Sequence, residues 1–330
     1  MLILTKSVFV TLISFLISII CAIILIPFLK KLKANQSINK YLEQRHKQKA
    51  GTPTMGGLIF IIPTISTIVI LLLTKKIDFS YNLLIIIFTF ISYAIIGFID
   101  DYLIVVKKNN NGLSENKKLI YQIFVSLIFF FFFMYSGNEP LLWIHTINLK
   151  LDIGFLYGLF ILFVLVATSN AVNITDGLDG LAGGLSAIAF FTFGIIAFFT
   201  GWLDGYIEIA YFCFSLLGSL LGFLIFNTSK AKVFMGDTGS LTLGATLGAI
   251  AIITRHEILL ILIGSVFVIE TLTCIIQRFY YKLTKRRIFP MTPIHHTFEK
   301  LGMDERDIVK IFWVIGVISS MVALLFGVWY

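Results

Sequence analysis

Ten stretches of this chain are apolar over lengths that match the thickness of a lipid bilayer. They run over roughly 7–29, 56–74, 80–99, 119–136, 154–172, 183–201, 206–226, 238–254, 257–279 and 309–329. A spanning helix needs about 20 apolar residues. The apolar residues in each stretch are continuous rather than alternating, which selects helices over a membrane β-barrel. Composition closes the soluble alternative. The chain is 58% hydrophobic and only 13% charged, with a mean hydropathy of +0.95. A soluble domain carries roughly 25% charged residues and cannot hide every apolar side chain from water. The first stretch is too long for a signal peptide and no small-residue cleavage site follows it, so it reads as span one. With no internal repeat, low-complexity tract or soluble segment in view, residues 1–330 are expected to form one all-α polytopic membrane domain of about ten helices.

Cys21, Cys213 and Cys274 all fall in apolar segments. Their odd number and wide scatter give neither a disulfide framework nor a zinc spacing.

Charge sets the expected orientation. Ten spans put the loops 30–55, 100–118, 173–182, 227–237 and 280–308 on one face. With span edges included, that face holds 21 of the 26 lysines and arginines. Positive residues concentrate on the cytoplasmic side of a membrane. Both termini are therefore expected outside, and the five basic loops in the cytoplasm. The formal net charge of +8 follows from topology and attraction to anionic lipid, not from nucleic-acid binding.

The residues that carry chemistry fall on the same five loops, which suggests one shared site. The first loop closes with Lys49 and Gly51-Thr52-Pro53-Thr54-Met55-Gly56-Gly57. The second opens on Asp100-Asp101 and ends near Lys117-Lys118. The third contains Asn173, Asp176-Gly177-Leu178-Asp179-Gly180. The fourth carries Asn227 and Phe234-Met235-Gly236-Asp237-Thr238-Gly239-Ser240. The fifth holds Pro290-Met291-Thr292-Pro293-Ile294-His295-His296-Thr297-Phe298-Glu299. Adjacent helical residues point about 100° apart, so Asp100 and Asp101 are expected to play different roles. Asn173, Asp176 and Asp179, three apart, would fan over about 120° of one helical face; a polar helix cap is the other reading. Thr238 or Ser240 is expected to cap a helix whose N-terminus favours phosphate. A carboxylate at Asp237 beside such a cradle calls for a divalent cation, and oxygen ligands select magnesium or manganese over zinc. Lys49 and Lys118 are explained equally by topology or by phosphate. Glu270 lies inside span nine, where a buried carboxylate needs a partner or a function; Gln277, on nearly the same helical face, is the expected polar neighbour, in a structural or gating role.

In this order along the chain, these five blocks resemble the phospho-N-acetylmuramoyl-pentapeptide transferase family. The resemblance runs from about Lys49 to Glu299. It implies a bacterial inner-membrane enzyme with its site facing the cytoplasm. Its partners would be undecaprenyl phosphate, UDP-N-acetylmuramoyl-pentapeptide and the bilayer, and its cofactor Mg2+; a homodimer is compatible with it. The implied products are lipid I and UMP, in peptidoglycan synthesis. By the same resemblance Asp237 is the metal ligand and Asp100, Asp101 and Asp237 are catalytic. Lys49, Lys118, Asn173, Asp176, Asp179, Asn227, Phe234, His295 and His296 are implied to bind substrate. One position departs: the family has a third consecutive histidine where this chain has Thr297. Two other classes share part of the pattern. Polyprenyl-phosphate N-acetylglucosamine-1-phosphate transferases have the carboxylates but a different first loop and histidine loop. A transporter would place its polar site at the bilayer midplane, whereas these residues gather at one face.

Overall fold

The computed structural model describes residues 2–32, 51–105, 112–144, 149–228 and 230–328. Lys49 lies outside the described residues. Almost every described element is helical: α1 (Leu2–Lys31), α2 (Leu58–Leu73), α3 (Tyr81–Val105), α4 (Glu115–Tyr135), α5 (Leu156–Thr175), α6 (Leu181–Phe199), α7 (Tyr206–Asn227), α8 (Gly236–Ile253), α9 (Glu257–Ile263), α10 (Ser265–Thr284), α11 (Ile294–Lys300) and α12 (Glu305–Val328). Eight are long and apolar enough to cross a membrane, and the bent pair α9–α10 raises that to nine. α2 is apolar but has 16 residues, about 24 Å of helix. The chain is thus an all-α, multi-pass membrane protein.

The core forms around α8. In its most apolar 18-residue window, 89% of α8 is buried, against 22% for α12 and 28% for α1 and α4. α3 and α5 flank α8; α7 packs on α1, α2 and α6, and α12 on α6 and α9. Close approach depends on small residues. A Cβ on Gly97 of α3 would sit 2.1 Å from the Asp237 carbonyl oxygen, and one on Gly244 of α8 would sit 2.2 Å from the Thr168 carbonyl of α5. The poorly buried helices turn Phe9, Leu16, Phe124, Phe131, Ile318 and Met321 outward, an apolar rim suited to lipid. Between α1, α2 and α7 the buried hydroxyls find partners: Ser14 and Ser219 lie 2.6 Å apart, and Thr64 donates to Ser219 at 2.9 Å. Such pairing avoids the cost of bare polar groups in an apolar interior.

The structure departs from the sequence reading in span nine and in the segment between α4 and α5. Span nine is not one helix over 257–279. It breaks at Gly264, and α9 and α10 meet at 85°. Sharp kinks of this kind occur where glycine lets two helical segments splay. The second departure is a hairpin between α4 and α5: β1 (Leu141–Ile144) pairs antiparallel with β2 (Leu149–Asp152), Trp143 opposite Lys150. The Lys150 ammonium lies 4.3 Å from the Trp143 ring centroid. Arg255 fixes the neighbouring chain by donating to the carbonyls of Glu139 and Leu141 at 2.6 and 2.9 Å.

Candidate active site

α3 continues past the expected end of span three to Val105, so Asp100 and Asp101 both lie on its last turns, each 4% exposed. Their carboxylates diverge, as adjacent helical positions must. Asp101 accepts from the backbone N–H of Asp237 (3.2 Å) and Thr238 (2.9 Å) and from the Thr238 hydroxyl (2.6 Å). It therefore caps α8 from another helix, satisfying N–H groups that a helix start leaves free. Thr238 and Ser240 do not cap α8 as expected; Ser240 bonds back to the Gly236 carbonyl at 3.0 Å. The amides of Asp237 and Thr238 are occupied by Asp101 rather than open to phosphate.

Asp100 faces the other way. One oxygen accepts from the Leu113 N–H at 2.8 Å, and the other lies 3.3 Å from the Lys118 ammonium. Lys118, one turn into α4, also pairs with Asp237 Oδ2. Asp237 Oδ1 accepts from Asn173 Nδ2 at 2.7 Å, and the same amide donates to Ser240 at 2.8 Å. Asp100, Lys118, Asp237, Asn173 and Ser240 thus form one polar chain across α3, α4, α5 and α8. Lys118 and Asp237 remain about one fifth exposed, whereas Asp100 is nearly closed off. Asp100 and Asp237 share a single ammonium, so this part of the site holds one negative charge more than Lys118 balances.

The remaining loops are stitched to this centre. Asp176 ends α5 as its C-cap, so the three-residue spacing does not continue as one helix; Gly180, at φ +80°, turns the chain instead. Asp179 accepts from the Ala231 N–H at 2.9 Å, and its own N–H donates to Glu305 at 2.7 Å. Asn227 is 3% exposed; it accepts from Gly180 N–H and donates to the Val233 carbonyl, both at 3.0 Å. Asp179 and Asn227 therefore tie loop to loop. Phe234 is half-buried; its N–H donates to the Pro53 carbonyl and its carbonyl accepts from Gly56, each at 2.8 Å. This pairing holds the Gly-rich first loop against the loop that leads to Asp237, just before α2 starts at Leu58.

His295 is fully buried on α11, with Nδ1 3.1 Å from Glu270 Oε1 on α10. Glu270 is therefore partnered by His295, 25 residues away, and not by Gln277. Gln277 instead accepts from the N–H groups of Ile288 and Phe289, at 3.0 and 2.9 Å. The far edge of the His295 ring abuts the third loop: a Cβ on Gly177 would sit 2.3 Å from Nε2. His296 turns to Glu299, at 2.6 Å. Thr297, where the family pattern has histidine, donates to the Met291 carbonyl and folds the 291–297 turn. Sequence reasoning missed Glu305 and the Glu270–His295 pairing, because both link residues far apart in the chain with no shared motif.

Among the described residues no group of three or more His, Cys, Asp or Glu side chains is arranged to hold a metal ion. Magnesium needs less: it binds through one or two carboxylates and substrate phosphates, and keeps several waters. The partly exposed Asp237 in a negatively charged pocket fits that mode.

A membrane bundle with an aspartate-rich polar site where several helices end defines a class, and the comparisons agree: residues 83–255 match the profile of Glycosyl transferase family 4. Residues 49–61 match Phospho-N-acetylmuramoyl-pentapeptide-transferase signature 1. The chain is 44% identical over 317 residues to a phospho-N-acetylmuramoyl-pentapeptide-transferase of Geobacillus sp. (strain WCH70), covering 96% of both chains. It is 44% identical over 322 residues to that of Bacillus subtilis (strain 168), covering 97% of this chain and 98% of the relative. It belongs to the phospho-N-acetylmuramoyl-pentapeptide transferase family.

Proposed function

We propose that the Asp100–Lys118–Asp237–Asn173 chain is the centre at which this protein carries out its family's reaction. Phospho-N-acetylmuramoyl-pentapeptide passes from UDP-N-acetylmuramoyl-pentapeptide to undecaprenyl phosphate, giving lipid I and UMP for peptidoglycan synthesis. A phosphate oxygen of the lipid forms a bond to the donor's β-phosphorus, and the bond from that phosphorus to the oxygen bridging it to the α-phosphorus breaks. The observation that carries this reading is the placing of Asp237, held in orientation by Asn173 while still partly open.

Transfer between phosphates needs alignment and charge neutralisation more than covalent help. Mg2+ held by Asp237 would supply neutralisation of the donor's diphosphate. Asn173 holds the Asp237 carboxylate in register. Asp100, at the end of a spanning helix, faces the acceptor and orients it or takes its remaining proton. Asp101 acts through α8 by fixing the Asp237 backbone. Lys118, with Lys49 from the first loop, provides positive charge for phosphate. Asp176, Phe234 and the His295–His296 loop line the donor's side. The ten apolar segments are ten spans, with both termini outside and the site facing the cytoplasm of the bacterial inner membrane.

The test is UMP release by purified protein with undecaprenyl phosphate, comparing UDP-N-acetylmuramoyl-pentapeptide with UDP-N-acetylglucosamine. Turnover with the first donor alone, abolished by EDTA and restored by Mg2+, is expected. Preference for the second donor would overturn the substrate assignment.

A further inference from the structure

We infer that the Lys118 ammonium and the divalent cation are alternative counter-ions of Asp237, so that the cation binds by displacing Lys118. The inference rests on the reading that Asp237 is the metal ligand. Both oxygens of the Asp237 carboxylate are engaged: Oδ1 by Asn173, Oδ2 by Lys118. Each oxygen keeps a further lone pair, but a cation bound there is brought against the group already in place, and only the ammonium carries a like charge. Asn173 is the better anchored, because its amide also donates to Ser240, which in turn bonds the Gly236 carbonyl. Lys118 is held through its ammonium, which donates to Asp237 Oδ2 and lies 3.3 Å from Asp100. Its four-carbon stem is flexible and its head is a point charge. A doubly charged ion on Asp237 Oδ2 would also repel an ammonium already in contact with that oxygen.

The exchange has a consequence for the order of events. Without the cation, Lys118 keeps Asp100 and Asp237 from facing each other unscreened. When the cation arrives, the ammonium loses one carboxylate and becomes available to an incoming phosphate. Donor and cation then favour each other's binding through Lys118, and by linkage the effect is reciprocal.

The experiment is titration of Mn2+ into purified full-length protein, without nucleotide or lipid, read by the electron paramagnetic resonance of free Mn2+. Lys118→Met and Lys118→Gln remove the competing charge in two different ways. Each should tighten Mn2+ binding by more than about twofold and up to about fivefold, the upper scale of a single partly exposed ion pair, while turnover falls. Lys118→Arg keeps the charge and should bind Mn2+ within about twofold of the wild type on the same scale. Lys117→Met is the control for net charge. Lys117 is exposed and adjacent, and its loss should leave Mn2+ affinity unchanged. Thermal unfolding of each variant confirms that a folded protein is being titrated. Unchanged or weaker Mn2+ binding in both Lys118→Met and Lys118→Gln overturns the exchange, as does equal tightening in Lys117→Met. Asp237→Asn separates the two levels of the argument. If Asp237→Asn binds Mn2+ as the wild type does, the metal assignment itself has failed. If it loses Mn2+ while the Lys118 variants do not tighten, only the exchange has failed.

Discussion

At the end of α3 two neighbouring carboxylates face different partners, so their amide variants should fail differently. Asp101 holds the start of α8 through three hydrogen bonds. In Asp101→Asn an amide NH2 would confront donors that a carboxylate accepts, costing about 1–3 kcal/mol. Its melting temperature should fall, and its turnover should fall because the Asp237 backbone moves. Asp100→Asn can keep the Leu113 N–H on its amide oxygen while the flexible Lys118 side chain moves its ammonium away from the NH2. It should therefore lose less stability than Asp101→Asn and should lose kcat, with donor affinity within about tenfold of the wild type, 1.4 kcal/mol. A phosphate monoester has a second pKa near 6. Below it the acceptor retains a proton that Asp100 could take; above it the proton is already gone. If proton removal is Asp100's duty, the kcat defect of Asp100→Asn should shrink as pH rises past about 6. A defect constant across that range assigns orientation instead. The Glu270–His295 pair makes a further residue-scale case. Glu270→Leu strands a fully buried imidazole and should cost about 1–3 kcal/mol, whereas Glu270→Gln keeps an acceptor and should cost less. Thermal unfolding of the two variants measures the difference, and equal loss would show that the pairing contributes nothing.

Among the elements, α8 transmits the packing of the bundle to the site. Its N-terminus carries Asp237, and Gly97 of α3 lies against that turn. Gly97→Ala would place a methyl 2.1 Å from the Asp237 carbonyl oxygen, so either α3 or the start of α8 must shift. We expect a loss of about 10² in turnover, the scale of a misplaced reacting group, with the bundle still assembled; near-normal turnover would mean that this contact is soft. The helices themselves were legible in the sequence because lipid leaves the backbone few options. The break in span nine was not, because apolar residues continue on both sides of Gly264 and an isolated glycine in a membrane helix is ordinary. The β1–β2 hairpin was hidden by its length, four residues per strand. Within the site, the residue types were legible and their partners were not. The spacing of Asn173, Asp176 and Asp179 suggested a single helical face, but α5 stops at Thr175, and the last two lie on the turn that follows.

For the whole molecule, the basic residues give a sidedness that the packing of helices alone does not. Lys150 and Arg286 are both exposed and belong to opposite faces in the ten-span reading. In intact cells, an impermeant thiol reagent should label a cysteine at position 150 and not one at 286; the reverse pattern would invert the topology. The bundle brings side chains of α3, α4, α5 and α8 onto one connected set of contacts around Asp237. Turnover of Asp237→Asn at saturating donor, acceptor and Mg2+ tests that claim most directly. UMP release is expected to fall by about 10² or more, the scale on which electrostatic groups in a reaction centre act, in a protein that still unfolds cooperatively near the wild-type temperature. A folded Asp237→Asn protein with near-wild-type turnover under the same conditions would overturn the placing of Asp237 at the centre of the site.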